Sequence, residues 1–257
     1  MFSILKSAAS GLLAQTYNMD AIANNIANVN TDGYKKTRTD FADTAYDTMA
    51  ATTSAIGGVA PEFRAGAGVA VAATQRVFSA GSLRETDNPW DLAIAGTGFF
   101  QVALPDGRKA YTRDGSFQID GQGHLTTGEG FLVDPPITVP QGAENVQVDQ
   151  NGTVRASVNG QQVELGSITV ATFPDPEGLL AIGHNLYAAS DASGNAQVGQ
   201  AGAGGRGQIM SGVLESSNVD MADEMTKAVE AQRAYQLSIK VLQTADELLG
   251  LANNLRK

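Results

Sequence analysis

Two histidines, a group of carboxylates in turn-like stretches and one glycine-spaced loop are the residues whose types could do chemistry. His124 and His184 could ligate a metal or move a proton, yet neither has a second ligand at helical or hairpin spacing. His124 falls in a strand pattern and is expected at the surface or across a strand pair. His184, within Ile182-Gly183-His184-Asn185, is expected in a turn. The chain has no cysteine, which excludes disulfides, thiolate metal sites and a Cys nucleophile. Asp114, Asp120, Glu129 and Asp134 lie in turns of one β-patterned region. Two of them, held across a cleft with separated pKa values, could perform the acid–base chemistry of a secreted cell-wall hydrolase. No feature of the sequence marks such a cleft. Gly202-x-Gly204-x-x-Gly207 matches a dinucleotide pattern literally, but no apolar strand precedes it and Gln208-Ile209-Met210 opens no capped helix. It reads as a flexible link. Asn151-Gly152-Thr153 is a formal glycosylation sequon better explained as a hairpin turn. The expectation is no catalytic residue, no cofactor and no metal: a protein that is not an enzyme.

The elements that position side chains therefore carry the argument. The chain has 257 residues and is 42% hydrophobic, enough for one large domain or two modest ones. A net charge of −10 argues against nucleic acid, whose phosphates need clustered Lys and Arg. The charge is uneven: +1 over residues 1–40, −2 over 215–257 and −9 between them. The near-neutral ends can pack against like copies without strong repulsion. No run of eighteen apolar residues exists, so no helix is expected to insert in a membrane. The N-terminus lacks a basic region before its apolar residues, and Lys6, Ser7 and Ser10 break the run, so no cleaved signal peptide is expected.

Both ends read as helices. Leu5, Leu12, Met19 and Ile26 recur every seven residues, with Ala8, Ile22 and Val29 beside them and Gln15 as a polar interruption. This helix is expected to end between Asn28 and Asp32, with Gly33 free to turn left-handed after it. From Asp220, a candidate N-cap, a second stripe runs through Met221, Met225, Ala228, Gln232, Tyr235, Ile239, Leu242, Leu249 and Ala252. Between them the pattern is antiparallel β. Turn signals stand at Pro105-Asp106-Gly107, Gly121-Gln122-Gly123, Asn151-Gly152 and Asn159-Gly160. The predicted fold is α+β: terminal helices (1–35 and 218–257) pairing as a coiled-coil assembly domain, an extended linker (36–75) and a central antiparallel all-β domain (76–217). Residues 47–68 and 190–207 read as irregular connections.

The segment from Asn24 to Lys35, Asn-Asn-Ile-Ala-Asn-Val-Asn-Thr-Asp-Gly-Tyr-Lys, resembles the N-terminal signature of the flagellar basal-body rod family of rod and hook axial proteins. Ser217-Asn218-Val219-Asp220 and Gln232-Arg233-Ala234-Tyr235 are similar to the family's other hallmark. Ala95-Gly96-Thr97-Gly98-Phe99-Phe100 and Tyr111 to Phe117 resemble its rod branch, and the length looks most like the members that build the distal rod. A proximal rod or hook-type axial subunit is the alternative. The resemblance implies a structural subunit of the bacterial flagellum, exported by the type III apparatus and polymerising helically into a hollow shaft for motility. It implies other rod and hook subunits, and rings around the rod, as partners. It places an assembly interface on Leu5, Leu12, Met19, Ile22, Asn24, Asn25, Ile26, Asn28, Gly33, Tyr34, Asn218, Met225, Gln232, Tyr235, Ile239, Leu242 and Leu249.

Overall fold

The computed structural model describes residues 2–44, 46–49, 63–66, 68–158 and 160–254. It divides the α+β chain into two compact units, Met1–Ala27 with Thr37–Gln75 and Asp220–Lys257, and Asn28–Lys36 with Arg76–Val219.

In the first unit α1 (Phe2–Ala27) packs against α2 (Met221–Asn254). The pair is antiparallel: Asn25 meets Glu224, and a Cβ placed on Gly11 would come within 3.7 Å of the Ser238 hydroxyl. Small and polar residues line the seam. Ala14, Ile22 and Asn25 of α1 are buried, as are Glu224, Ala231 and Ala245 of α2. Asp220 caps α2 as expected, its Oδ1 accepting from Ala222 N–H at 2.9 Å and Asp223 N–H at 3.3 Å. With 34 residues against 26, α2 outruns α1 at its C-terminal end. The segment expected as an extended linker is paired: β1 (Thr37–Asp43) with β4 (Val69–Arg76), and β2 (Tyr46–Met49) antiparallel to β3 (Phe63–Gly66). β4 alternates half-buried Val69, Val71 and Ala73 with exposed Ala70, Ala72 and Thr74, the two-residue period of a strand covered on one side. Residues 50–62 and 67 of the expected irregular stretch lie outside the described residues.

The second unit is antiparallel β, as the turn signals predict. β5 (Leu83–Glu85), β6 (Leu92–Ala95), β7 (Phe99–Ala103) and β8 (Lys109–Thr112) lead to β9 (Phe117–Ile119), β10 (Leu125–Thr127) and β11 (Leu132–Val133). β12 (Ala143–Val148), β13 (Thr153–Val158) and β14 (Gln161–Ser167) form a three-stranded meander. β15 (Thr169–Thr172), β16 (Leu180–Gly183), β17 (Leu186–Ala188), β18 (Gln197–Gln200), β19 (Gln208–Ser211) and β20 (Val213–Glu215) follow. A nine-stranded sheet runs β16-β17-β8-β7-β11-β10-β9, and β15, which also pairs β18, shares an edge of β7 with β11. β19 pairs β6 and β20 pairs β5. Each predicted hairpin turn falls between the two strands it was read between, Asn159 itself lying outside the described residues. At Asn151-Gly152, glycine is required twice over: its φ is 88°, and a Cβ would meet Ile168 O at 2.2 Å. Part of 190–207 differs from expectation. Residues 197–200 are β18, held by Thr169–Thr172, and the Gly202–Gly207 loop is the turn that links β18 to β19. Val198 gives this strand little apolar signal, so its backbone pairing decides.

The core is built on Leu92, Phe100, Phe117, Leu125, Ile168 and Ile209, and Phe100 meets Phe117 edge to face at 5.1 Å. A second cluster gathers Phe99, Tyr111, Phe173 and Tyr187. Phe117→Ala is expected to cost about 3–5 kcal/mol, because the void loses both burial and its ring partner. Denaturant unfolding followed by near-UV circular dichroism measures it.

Candidate assembly interface

The residues after α1 belong to the β unit, and the local chemistry explains why. Gly33 takes φ 70°, which turns the chain, and its N–H donates to Glu215 O at 2.7 Å. A Cβ there would meet Asp114 N at 2.5 Å, so only glycine fits. Tyr34 is buried, with the Arg76 guanidinium 5.1 Å from its ring centre.

Lys35 is 0% exposed, Glu215 2% and Arg113 4%. Lys35 Nζ donates to one Glu215 oxygen at 2.6 Å and Arg113 Nη1 to the other at 3.3 Å. Gly81 N–H also donates to that carboxylate, at 2.8 Å. Lys35 bonds Ser79 O at 2.8 Å, while Arg113 bonds Ile94 O and Gly96 O and lies 5.5 Å from the Phe99 ring centre. Desolvation pushes the pKa of Lys35 down against the pull of Glu215, and it pushes Arg113 down for the same reason. One buried carboxylate thus serves two buried cations. Beside it, Asn218 mimics a strand. Its Oδ1 accepts Lys36 N–H at 2.7 Å and its Nδ2 donates to Val77 O at 2.7 Å.

In the helical unit Asn25 does similar work. Its Nδ2 donates to Thr37 O at 2.9 Å and to buried Glu224 at 3.0 Å, and its Oδ1 accepts Thr37 N–H at 2.8 Å. Lys227 balances Glu224 at 3.0 Å and Asp223 at 2.7 Å.

Of the residues expected at an interface, Asn25, Ile22, Gly33 and Tyr34 are buried within their own units. Leu5, Leu12, Met19, Ile26, Tyr235, Ile239 and Leu242 are half-buried, as are Asn28 and Asn218. Asn24, Met225 and Gln232 are exposed, and the side chain of Leu249 lies outside the described residues. The seven-residue stripe of α1 thus flanks the seam, whose centre is taken by smaller residues. Sequence reasoning missed the ion cluster and Glu224. The signal was a lone Glu after apolar Val213 and Leu214 in a strand, and a Glu seven residues before Ala231 on a small-residue face. It also missed most of the outward apolar residues: Leu13 and Tyr17 on α1, and Val229, Leu237, Val241, Leu248 and Leu251 on α2. Leu13 is 63% and Leu237 65% exposed.

The four turn carboxylates are each engaged. Asp114 accepts from Ser116 N–H at 3.0 Å and Ser116 Oγ at 2.7 Å, and burial raises its pKa. Asp120 accepts from Gln122 N–H and His124 N–H, both at 2.8 Å, and these bonds hold its carboxyl below the usual range. Glu129 pairs His184, which sits in the β16–β17 turn with φ 55°. Asp134 pairs Lys109 at 2.9 Å. His124 pairs Thr138 in an isolated antiparallel bridge outside the strands.

Family models match three stretches. Residues 5–35 match the flagella basal body rod protein, 93–156 the flagellar hook protein FlgE/F/G D1 domain, and 210–255 the flagellar basal body rod FlgEFG protein C-terminal region. Among curated proteins, the flagellar basal-body rod protein FlgG of Borreliella burgdorferi is 42% identical over 100% of both chains. That of Buchnera aphidicola subsp. Baizongia pistaciae is 43% identical over 97% of this chain and 98% of its own. That of Bacillus subtilis is 38% identical over 100% of both.

Glu215→Ala strands two buried cations and is expected to destabilise the β unit by about 3–5 kcal/mol. Lys35→Met is expected to cost less, because Arg113 and Gly81 still hold the carboxylate and Asn218 still reaches Ser79 O at 3.2 Å. The pH dependence follows from Lys35. Its folded pKa lies below the unfolded 10.5, so between the two the unfolded chain binds more protons. Wild-type stability should therefore rise with pH across that window relative to Lys35→Met, a difference that paired thermal melts read directly. A chain beginning at residue 28 should keep the β unit folded; one beginning at residue 37 should not, by near-UV circular dichroism.

Proposed function

From the premise that this chain belongs to the flagellar basal-body rod protein family, as a structural subunit, we propose that it builds the distal part of the rod by helical self-assembly. What supports self-assembly is the outward apolar residues of both helices. Leu13 and Tyr17 stand one turn apart on α1, and Leu237, Val241, Leu248 and Leu251 follow the 4-, 7- and 3-residue steps of a coiled-coil seam on α2. The inner seam is already taken by the antiparallel partner helix, so this second stripe needs a different helix to cover it. Neighbouring copies supply one. Contacts between unlike faces of successive copies do not close, and such contacts grow a helical shaft rather than a ring. The interface expected at Leu5 to Leu249 thus divides. Its buried members shape each subunit, and Met225 and Gln232 are exposed on α2, on a different face from the second stripe.

The FlgG relatives are named as basal-body rod proteins, and the same location is proposed here: the flagellar basal body. Other rod and hook subunits are the proposed neighbours at the shaft ends, and rings the neighbours around it. The role requires no catalysis or cofactor.

Leu237→Glu with Leu248→Glu should leave the helical content and the β unit unchanged, since both side chains are exposed, yet abolish incorporation into rods and swimming. Incorporation at wild-type level would defeat the second-stripe argument. Immunogold labelling of isolated basal bodies decides between distal and proximal placement.

A further inference from the structure

The chain passes between the two units four times, and the β-unit ends of three of those passages are bonded to one another. Lys36 O accepts Val77 N–H at 2.9 Å, Arg76 Nη1 donates to Lys35 O at 2.9 Å, and Asn218 bonds both Lys36 and Val77. Residues 33–36 and 215–218 run parallel: Gly33 N–H meets Glu215 O at 2.7 Å, and Asn218 N–H meets Tyr34 O at 3.4 Å. One segment follows α1 and the other leads to α2. Tension applied through the two helices therefore pulls the N-terminal end of one parallel segment and the C-terminal end of the other. That slides them past each other and loads their bonds together instead of one by one. Glu215 lies across the sliding pair. Its carboxylate ties Lys35 of the first segment to Gly81, which follows the third passage, and to Arg113 at the end of β8. All three side chains are excluded from water, so no solvent bond replaces an ion pair as it begins to part.

We infer that the Lys35–Glu215–Arg113 cluster is a mechanical clamp, through which force on the helical ends enters the β unit. The inference rests on the rod reading for the source of that force, a rotating shaft. Forced unfolding is governed by the barrier to opening, and a sheared, buried cluster raises that barrier. Exposed pairs such as Arg84 with Asp32 cannot, because water replaces each bond as it breaks.

The absence of native cysteine makes engineered cysteines unique handles for single-molecule pulling on the full chain. One version is held at its two ends. The other is held at Asp106→Cys and Gln122→Cys, two exposed turn positions of the β unit. The β unit should rupture at higher force when pulled through the ends. Lys35→Met should remove that excess and leave the turn-pulled force unchanged. Asn218→Ala, which spares the ion cluster, should lower the end-pulled force in part, and it serves if Lys35→Met does not fold. Equal forces in the two geometries, or an equal drop in both on substitution, would overturn the clamp and leave the rod reading standing. A chain absent from the rod would overturn that reading and leave the clamp measurable.

Discussion

One buried carboxylate holds the β unit to its own chain ends. Glu215 takes a lysine from the segment after α1, a backbone N–H from the segment before β5 and an arginine from the end of β8. Burying three charges gains little net stability over an apolar core, but losing one partner is costly. The arrangement therefore acts less as a source of stability than as a condition on geometry: the three segments are either all in place or the charges are stranded. Gly33 fixes the turn, Tyr34 is buried under the Arg76 guanidinium, and Asn218 satisfies backbone groups of Lys36 and Val77.

The helical unit follows a different logic. Its inner seam is made mostly of alanine, serine, asparagine and one glutamate, with Ile22 as the one large apolar residue, and it buries little apolar surface. The larger apolar side chains are spread over the flanks and the outer faces. Such a pair buries little apolar surface by itself and leaves large apolar side chains exposed. The β unit, with Phe100, Phe117 and the Phe99–Tyr187 cluster, carries a complete core of its own.

Much of the fold was legible because it was locally coded. Glycine-bearing turns marked the β7–β8, β9–β10, β12–β13 and β13–β14 hairpins, and Asp220 marked the start of α2. What was illegible was pairing across sequence distance. Lys35 reads as the polar end of a signature, and nothing local says that it is buried against a glutamate 180 residues away. β18 was missed because Gln197-Val198-Gly199-Gln200 has no apolar alternation; its place comes from a neighbour's backbone. The heptad of α1 was read correctly as apolar, but the seam went to smaller residues beside it, because helix approach distance, not hydrophobicity alone, chooses the contact face.

The hydrogen bond from Val77 N–H to Lys36 O has a separate consequence. The excursion from Thr37 to Gln75 leaves and rejoins the β unit at adjacent, bonded residues, so its root is already closed. A closed root makes the excursion a cassette. Outside its paired strands and the Thr37 bonds to Asn25, its length and composition can drift at little more than the cost of loop entropy, which grows only slowly with length, while the frame on either side keeps its register. Variation among related chains should therefore gather between these two splice points and spare the residues that flank them.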